Sequence, residues 1–130
     1  MEISHNPVLG ELKLSGDSDL WECTVNINNQ DIQFEIGGIR EPNHELISHA
    51  CDIVRNFTDF SSMVAALLES EAVKLPVAAE EIRQLKLVSV HLFWIDRPND
   101  GMIYFDGPDE YRVWRCDYIN RKPCGLGFDS

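Results

Sequence analysis

The sequence predicts an α+β domain: a mostly antiparallel sheet with two or three helices packed on one face, in the order βββ-αα(α)-βββ(β). Three observations predict it. Residues 8–36 alternate apolar and polar positions with the period of a strand, and residues 87–128 read as further strands separated by turn signals. Residues 44–68 repeat their apolar positions at helical spacing. Strands are also grouped before and after the helices, not interleaved with them one for one, which separates α+β from a parallel α/β sheet. The 130 residues read as one domain, 1–130, long enough to bury roughly two-thirds of the unfolded chain's surface without a disulfide or metal staple.

Leu9, Leu12 and Leu14 open a short strand that ends at Ser15-Gly16-Asp17. Trp21, Cys23, Val25 and Ile27 alternate with Glu22, Thr24 and Asn26, the pattern of a half-buried strand. Asn28-Asn29 supplies a tight turn, because Asn tolerates positive φ. Ile32, Phe34 and Ile36 then alternate with Asp31, Gln33 and Glu35, completing a hairpin with one apolar and one acidic face. Gly37-Gly38 stops it.

Asn43 is a good N-cap, followed by Leu46, Ile47, Ala50, Val54 and Phe57 on a helical stripe. A second helix is expected from Thr58 or Asp59, which suit caps better than helix interiors, with Phe60, Met63, Val64, Leu67 and Leu68 as its stripe. Pro76 ends it, and a short helix spans about Ala78 to Leu85. Leu87 to Ile95 is β-branched and aromatic on both faces, so a central strand covered on much of both sides is expected. Asp100-Gly101 and Gly107-Pro108-Asp109 turn the chain between strands at Met102–Phe105 and Tyr111–Tyr118, and Gly125–Phe128 adds a short last one.

Composition excludes several classes of function. There are 22 acids against 11 bases. Residues 1–71 hold 13 acids and 3 bases, a net of −10, while residues 72–130 hold 9 acids and 8 bases, a net of −1. Such a field repels nucleic acid and anionic lipid and speeds encounter with a basic protein. Cys23, Cys51, Cys116 and Cys124 are scattered, with no CxxC and no Cys/His spacing of a zinc site. The opening MEISHNPVLGEL lacks a basic region followed by an apolar run, so no secretory leader is expected. No apolar run reaches the length of a membrane span. These features favour the cytoplasm, where the thiols stay reduced.

No catalytic signature stands out, and no cofactor or metal is expected. His44 and His49 are five apart, not the four that puts two rings on one helix face, and read as solvent-facing. His91, Cys116 and Asp117 are the residue types of a thiol catalyst, but His91 falls in a strand that reads as core and Cys116 on a face with Trp114 and Tyr118. Asp96, Asp100, Asp106, Asp109 and Glu110 gather at two turns and are explained by turn chemistry. No GxGxxG, Walker, HExxH or GxSxG motif occurs. Arg112, Arg115, Arg121 and Lys122 surround Trp114, Tyr111 and Tyr118. With a net charge of −11, an interface cluster rich in Trp, Tyr and Arg fits this better than base stacking.

The run Tyr111-Arg112-Val113-Trp114-Arg115-Cys116-Asp117-Tyr118, followed by Gly125-Leu126-Gly127-Phe128-Asp129, resembles the ending of small bacterial proteins classed as domains of unknown function. The opening LGEL strand and the EEIRQLKLVSV helix-to-strand passage are similar in order. Several such families are similar to the immunity proteins that bacteria make against their neighbours' toxins. The resemblance carries over no functional residue.

Two functions are therefore expected in turn. The first is a protein-binding domain with a basic protein partner, of the immunity-protein kind, acting as a monomer or weak homodimer without nucleic acid or membrane. Its candidate contact residues are Glu22, Asp31, Glu35, Glu41, Glu45, Asp52, Arg112, Trp114 and Arg115. The alternative is a hydrolase or small-ligand-binding domain using the turn carboxylates.

Overall fold

A computed structural model describes residues 2–16 and 19–129. Asp17, part of the expected stop after the Leu9–Leu14 strand, lies outside the described residues. The elements run β1 (Ile3–Asn6), β2 (Gly10–Leu14), β3 (Trp21–Ile27), β4 (Gln30–Ile36), α1 (His44–Arg55), α2 (Phe57–Lys74), a 3-10 turn at Pro76–Ala78, α3 (Ala79–Arg83), β5 (Lys86–Leu92), β6 (Gly101–Asp106), β7 (Val113–Ile119) and β8 (Lys122–Asp129). The class is α+β, with a mostly antiparallel sheet and three helices. The element order differs from expectation, because four strands precede the helical segment and four follow it.

All eight strands form one sheet in chain order, β1 to β8, and every neighbouring pair is antiparallel except β4–β5. That pair is parallel, with Gln33 beside Ser89 and Ile36 beside Leu92, because the intervening helices return the chain to the end at which β4 began. The side chain of Gln30 supports the start of the crossing, donating to the Leu87 carbonyl at 2.9 Å.

Local chemistry explains the boundaries. Asn28 and Asn29 take φ of 54° and 66°, the positive-φ pair of a two-residue hairpin turn. Asn43 caps α1, its side-chain oxygen accepting from the amides of Glu45 and Leu46. The break between α1 and α2 falls at Asn56, not at Thr58 or Asp59, which sit inside the first turn of α2. The extra first strand turns on Asn6, whose side chain accepts from the amides of Val8 and Leu9.

One row of side chains across the sheet, Cys23, Phe34, Val90, Ile103 and Cys116, turns inward and joins Leu46, Ala50, Ile53, Phe60, Val64 and Ile82 from the helices in one buried cluster. Strand β5 departs from its simple alternation. A bulge between Leu87 and Ser89 places Leu87 opposite Phe105 and Val90 opposite Ile103 on the inner face. Its other face, with Ser89 buried and His91 largely so, is also shielded, as expected of a central strand, by side chains of neighbouring strands such as Glu35 and Tyr104.

Two clefts flank the loop after β4. One, of about 380 Å3, is bounded by Leu14, Gly37, Ile39 and Phe93. The loop tolerates no side chain at its start. A Cβ on Gly37 would stand 2.7 Å from the Phe93 carbonyl oxygen, and one on Gly38, at φ 154°, would collide with the Glu41 carbonyl. Among the described residues no helix is long and apolar enough to cross a membrane.

Candidate functional site

Strand register builds the uncovered face row by row. Lys13, Glu22, Glu35, His91, Met102 and Asp117 stand side by side across six strands. The next row is Thr24, Gln33, Ser89, Tyr104, Arg115 and Gly127. Extending the same alternation, β1 to β4 put Glu11, Glu22, Asp31 and Glu35 on this face against Lys13. Strands β5 to β8 balance Asp106, Asp117 and Asp129 with Lys86, Arg115 and Lys122. The face is thus acidic in its first half and neutral in its second.

At the junction of the two halves lies a half-buried polar cluster. The Glu35 carboxylate oxygen Oε2 lies 2.8 Å from His91 Nε2, with 15% and 18% of the two side chains exposed. The same ring nitrogen is 3.2 Å from Ser89 Oγ. The imidazole packs at a tilt on Tyr104, 4.3 Å between ring centroids, and meets Phe93 edge-on at 6.3 Å. Glu22 lies directly opposite Glu35 across β3 and β4. Like charges in that position repel.

Burial, with the hydrogen bond and repulsion from Glu22, raises the Glu35 carboxyl from its ordinary range to about 7. Burial lowers His91 to about 4. As pH falls, Glu35 therefore takes up a proton before the imidazole does. The close His91–Glu35 contact is then a hydrogen bond from a neutral ring, not an ion pair. Lys13, in the same row, sits 3.5 Å from Glu11.

Ser, His and Glu here do not form a nucleophilic relay. A relay needs the serine and the carboxylate on different ring nitrogens, whereas both contact Nε2. The thiol arrangement is excluded by geometry. Cys116 faces the core, fully buried, with its thiol pushed up to about 12, while His91 and Asp117 point from the other face. His91 itself lies on the uncovered face, correcting its assignment to the core.

A second polar cluster lies under α1. His49, expected to face solvent, is 1% exposed. Its Nδ1 donates to the Pro98 carbonyl at 2.8 Å, and its ring stacks on Tyr118 at 5.4 Å. Burial lowers its pKa and raises that of the Tyr118 hydroxyl to about 12. These two side chains floor a cleft of about 160 Å3 with Asp52, Asp59, Phe60 and Arg121 at its sides. Arg121 spans the mouth, bonding Asp52 at 3.0 Å and Asn99 at 2.8 Å.

The remaining candidate residues scatter. Asp31 is at the β3–β4 hairpin, held by Asn26 at 2.9 Å. Glu41 and Glu45 are exposed beside the start of α1, and His44 near them is also exposed. Arg112 bonds Glu81 and lies 3.3 Å from Asp109, while Arg115 pairs with Asp129 at 3.2 Å. Trp114 is 2% exposed and donates its indole N–H to Glu81 at 2.6 Å, so its ring belongs to the core and is not presented to a partner. The carboxylates at the two turns lie toward opposite ends of β6, with Asp96 and Asp100 before it, Asp106 its last residue, and Asp109 and Glu110 after it, roughly 17 Å apart along the strand. No group of three or more His, Cys, Asp or Glu among the described residues is arranged to hold a metal.

Sequence reasoning named Glu22 and Glu35 but missed their pairing with His91, Ser89 and Tyr104. The first pairing was readable. A two-residue turn at Asn28-Asn29 fixes Ile27 opposite Gln30, and counting back sets Glu22 opposite Glu35. The arrival of β5 beside β4 has no comparable local signal. The fold and site define an α+β domain with one uncovered, half-acidic sheet face. The chain matches no protein-family model, no curated protein and no solved structure at a significant level.

Proposed function

We propose that the chain is a small acidic protein-binding domain whose partner is a basic protein, acting in the manner of an immunity protein that occludes a toxin. The observation that carries this reading is the placement of charge. The net of −10 over residues 1–71 is accompanied by four acids against one base on the uncovered face of β1 to β4. Charge of one sign concentrated on one region steers a basic partner and suppresses acidic ones. An intracellular site suits this reading, with Cys23, Cys51 and Cys116 buried as free thiols, and so does a monomer or weak homodimer.

The test is affinity capture on the full chain with the product of the neighbouring gene, at low and high salt. Retention at low salt and release at high salt is expected. If the neighbour encodes no toxin and no basic protein is retained, the reading fails. The alternative, a hydrolase or ligand-binding domain built on the turn carboxylates, has less support, since its two sets of carboxylates stand at opposite ends of β6.

A further inference from the structure

Three features of the molecule invite a ligand. The His49 cleft is small, and its polar groups are already satisfied by Pro98, Asp52 and Asn99. The exposed apolar side chains Val73, Leu75 and Val77 near the end of α2 have nothing beside them that identifies a partner. The uncovered sheet face is different, because its charge specifies what would cover it.

We infer that the uncovered face of β2 to β5 is the docking surface for the basic partner, and that an arginine of that partner seats between Glu22 and Glu35. This rests on the reading of the chain as a binder of basic proteins. Four observations lead to it. Among the described residues the helices pack on the opposite face, where their buried side chains join the core cluster. Its charge is unbalanced over β1 to β4 and balanced over β5 to β8. Two carboxyls stand directly opposite at Glu22 and Glu35, an arrangement that costs stability in the free protein. Aromatic side chains, Tyr104 and Phe93, border the pair through His91, and a hollow of about 410 Å3 opens beside it where Glu11, Lys13, Glu22, Thr24 and Gln33 meet.

A guanidinium fits these requirements better than an ammonium. Its planar fork bridges two carboxylates and its face stacks on aromatic rings. It would also relieve the Glu22–Glu35 repulsion and hold Glu35 in its charged form. Facing Glu35 are Glu22 from β3 and His91 and Ser89 from β5, with Tyr104 of β6 behind His91 and Lys13 of β2 beyond Glu22. Docking therefore releases a proton, and binding tightens between pH 6 and pH 8.

The experiment titrates the full chain with a decaarginine peptide and with a decalysine peptide, reading affinity by calorimetry in two buffers of different ionisation heat and mapping backbone amide shifts. Expected are tighter binding of decaarginine, proton release, and the largest shifts at residues 22, 35, 91 and 104. A double variant, Glu22→Gln with Glu35→Gln, weakens binding about ten-fold, the size of one charged hydrogen bond. Glu80→Gln with Glu110→Gln, which removes two charges outside these strands, weakens it less than about two-fold, as screened surface charges do. Equal weakening by the two double variants, or shifts centred elsewhere, overturns the docking surface and leaves the basic-partner reading standing. No binding of either peptide at low salt overturns both. The glutamine variants remove a repulsion, so loss of binding by unfolding is not expected, and a thermal melt of each variant checks this.

Discussion

Trp114 shows how a residue that looks like an interface anchor can be structural. Its indole is buried between β7 and the helical layer, its ring lies 4.8 Å from Phe128, and its N–H is held by Glu81 of α3, which also bonds Arg112. Trp114→Phe keeps most of the ring but orphans a carboxylate oxygen. A loss of about 1–2 kcal/mol is expected, read from the denaturant midpoint. An unchanged midpoint would mean that the bond contributes nothing net. His49 makes a second case. Its spacing from His44 carried no information on burial, because the covering elements, the Pro98 loop and Tyr118, come from about 50 and 70 positions away. Its pKa is lowered in the fold, so the unfolded chain takes up the proton first. Stability from this residue is present above the ordinary histidine range near 6.5 and declines as pH falls below it. A urea series from pH 8 to pH 5 should show that decline, and His49→Phe should flatten part of it. If the two slopes are equal, His49 is not the responsible group.

At the scale of elements, what was legible followed from local chemistry. The Asn28-Asn29 hairpin, the Asn43 cap, the stop at Pro76 and the last three strands all rest on signals within a few residues of the feature itself. What failed depended on the strand alongside. Ile3–Asn6 alternates weakly and becomes a strand only because β2 pairs with it, through Ile3 beside Lys13 and His5 beside Glu11. In β5 the apolar run hid the bulge at Val88, since either register places apolar residues inward, and only the Phe105 and Ile103 partners decide. The repulsion across β3–β4 is testable in the same terms. Glu22→Gln should raise stability by about 0.5 kcal/mol at pH 8, as expected for a like-charged cross-strand pair. Glu35 titrates upward in the fold, so the stability it contributes is full below its ordinary carboxylate range and is lost as pH rises through about 7. The gain from Glu22→Gln should therefore shrink at pH 5, and a larger gain at pH 5 than at pH 8 would contradict that titration. In the β4–α1 loop, Gly38→Ala should cost about 2 kcal/mol or more, because the added carbon meets backbone and not a mobile side chain. A thermal melt unchanged from wild type would show that the loop relaxes freely.

At the scale of the whole molecule, charge divides the sheet near the β4–β5 junction. The uncovered face of the first four strands carries four acids against one base and that of the last four is balanced, so long-range attraction belongs to one half and the other is electrically quiet. Association with a basic partner should accordingly slow several-fold when ionic strength rises from about 0.02 M to 0.2 M, while dissociation changes little. Stopped-flow measurement of both rates would separate steering from short-range bonding, and a salt-independent on-rate would deny the field any role. The parallel junction of β4 and β5 has a consequence of another kind, in the order of events during folding. Every antiparallel pairing joins strands adjacent in sequence, whereas Gln33 must find Ser89. Two quick, local meanders should therefore form on their own clocks and wait for one another, with the closing of that single seam as the slow step. Lengthening the connection near Lys74–Pro76 would then delay refolding without altering either meander.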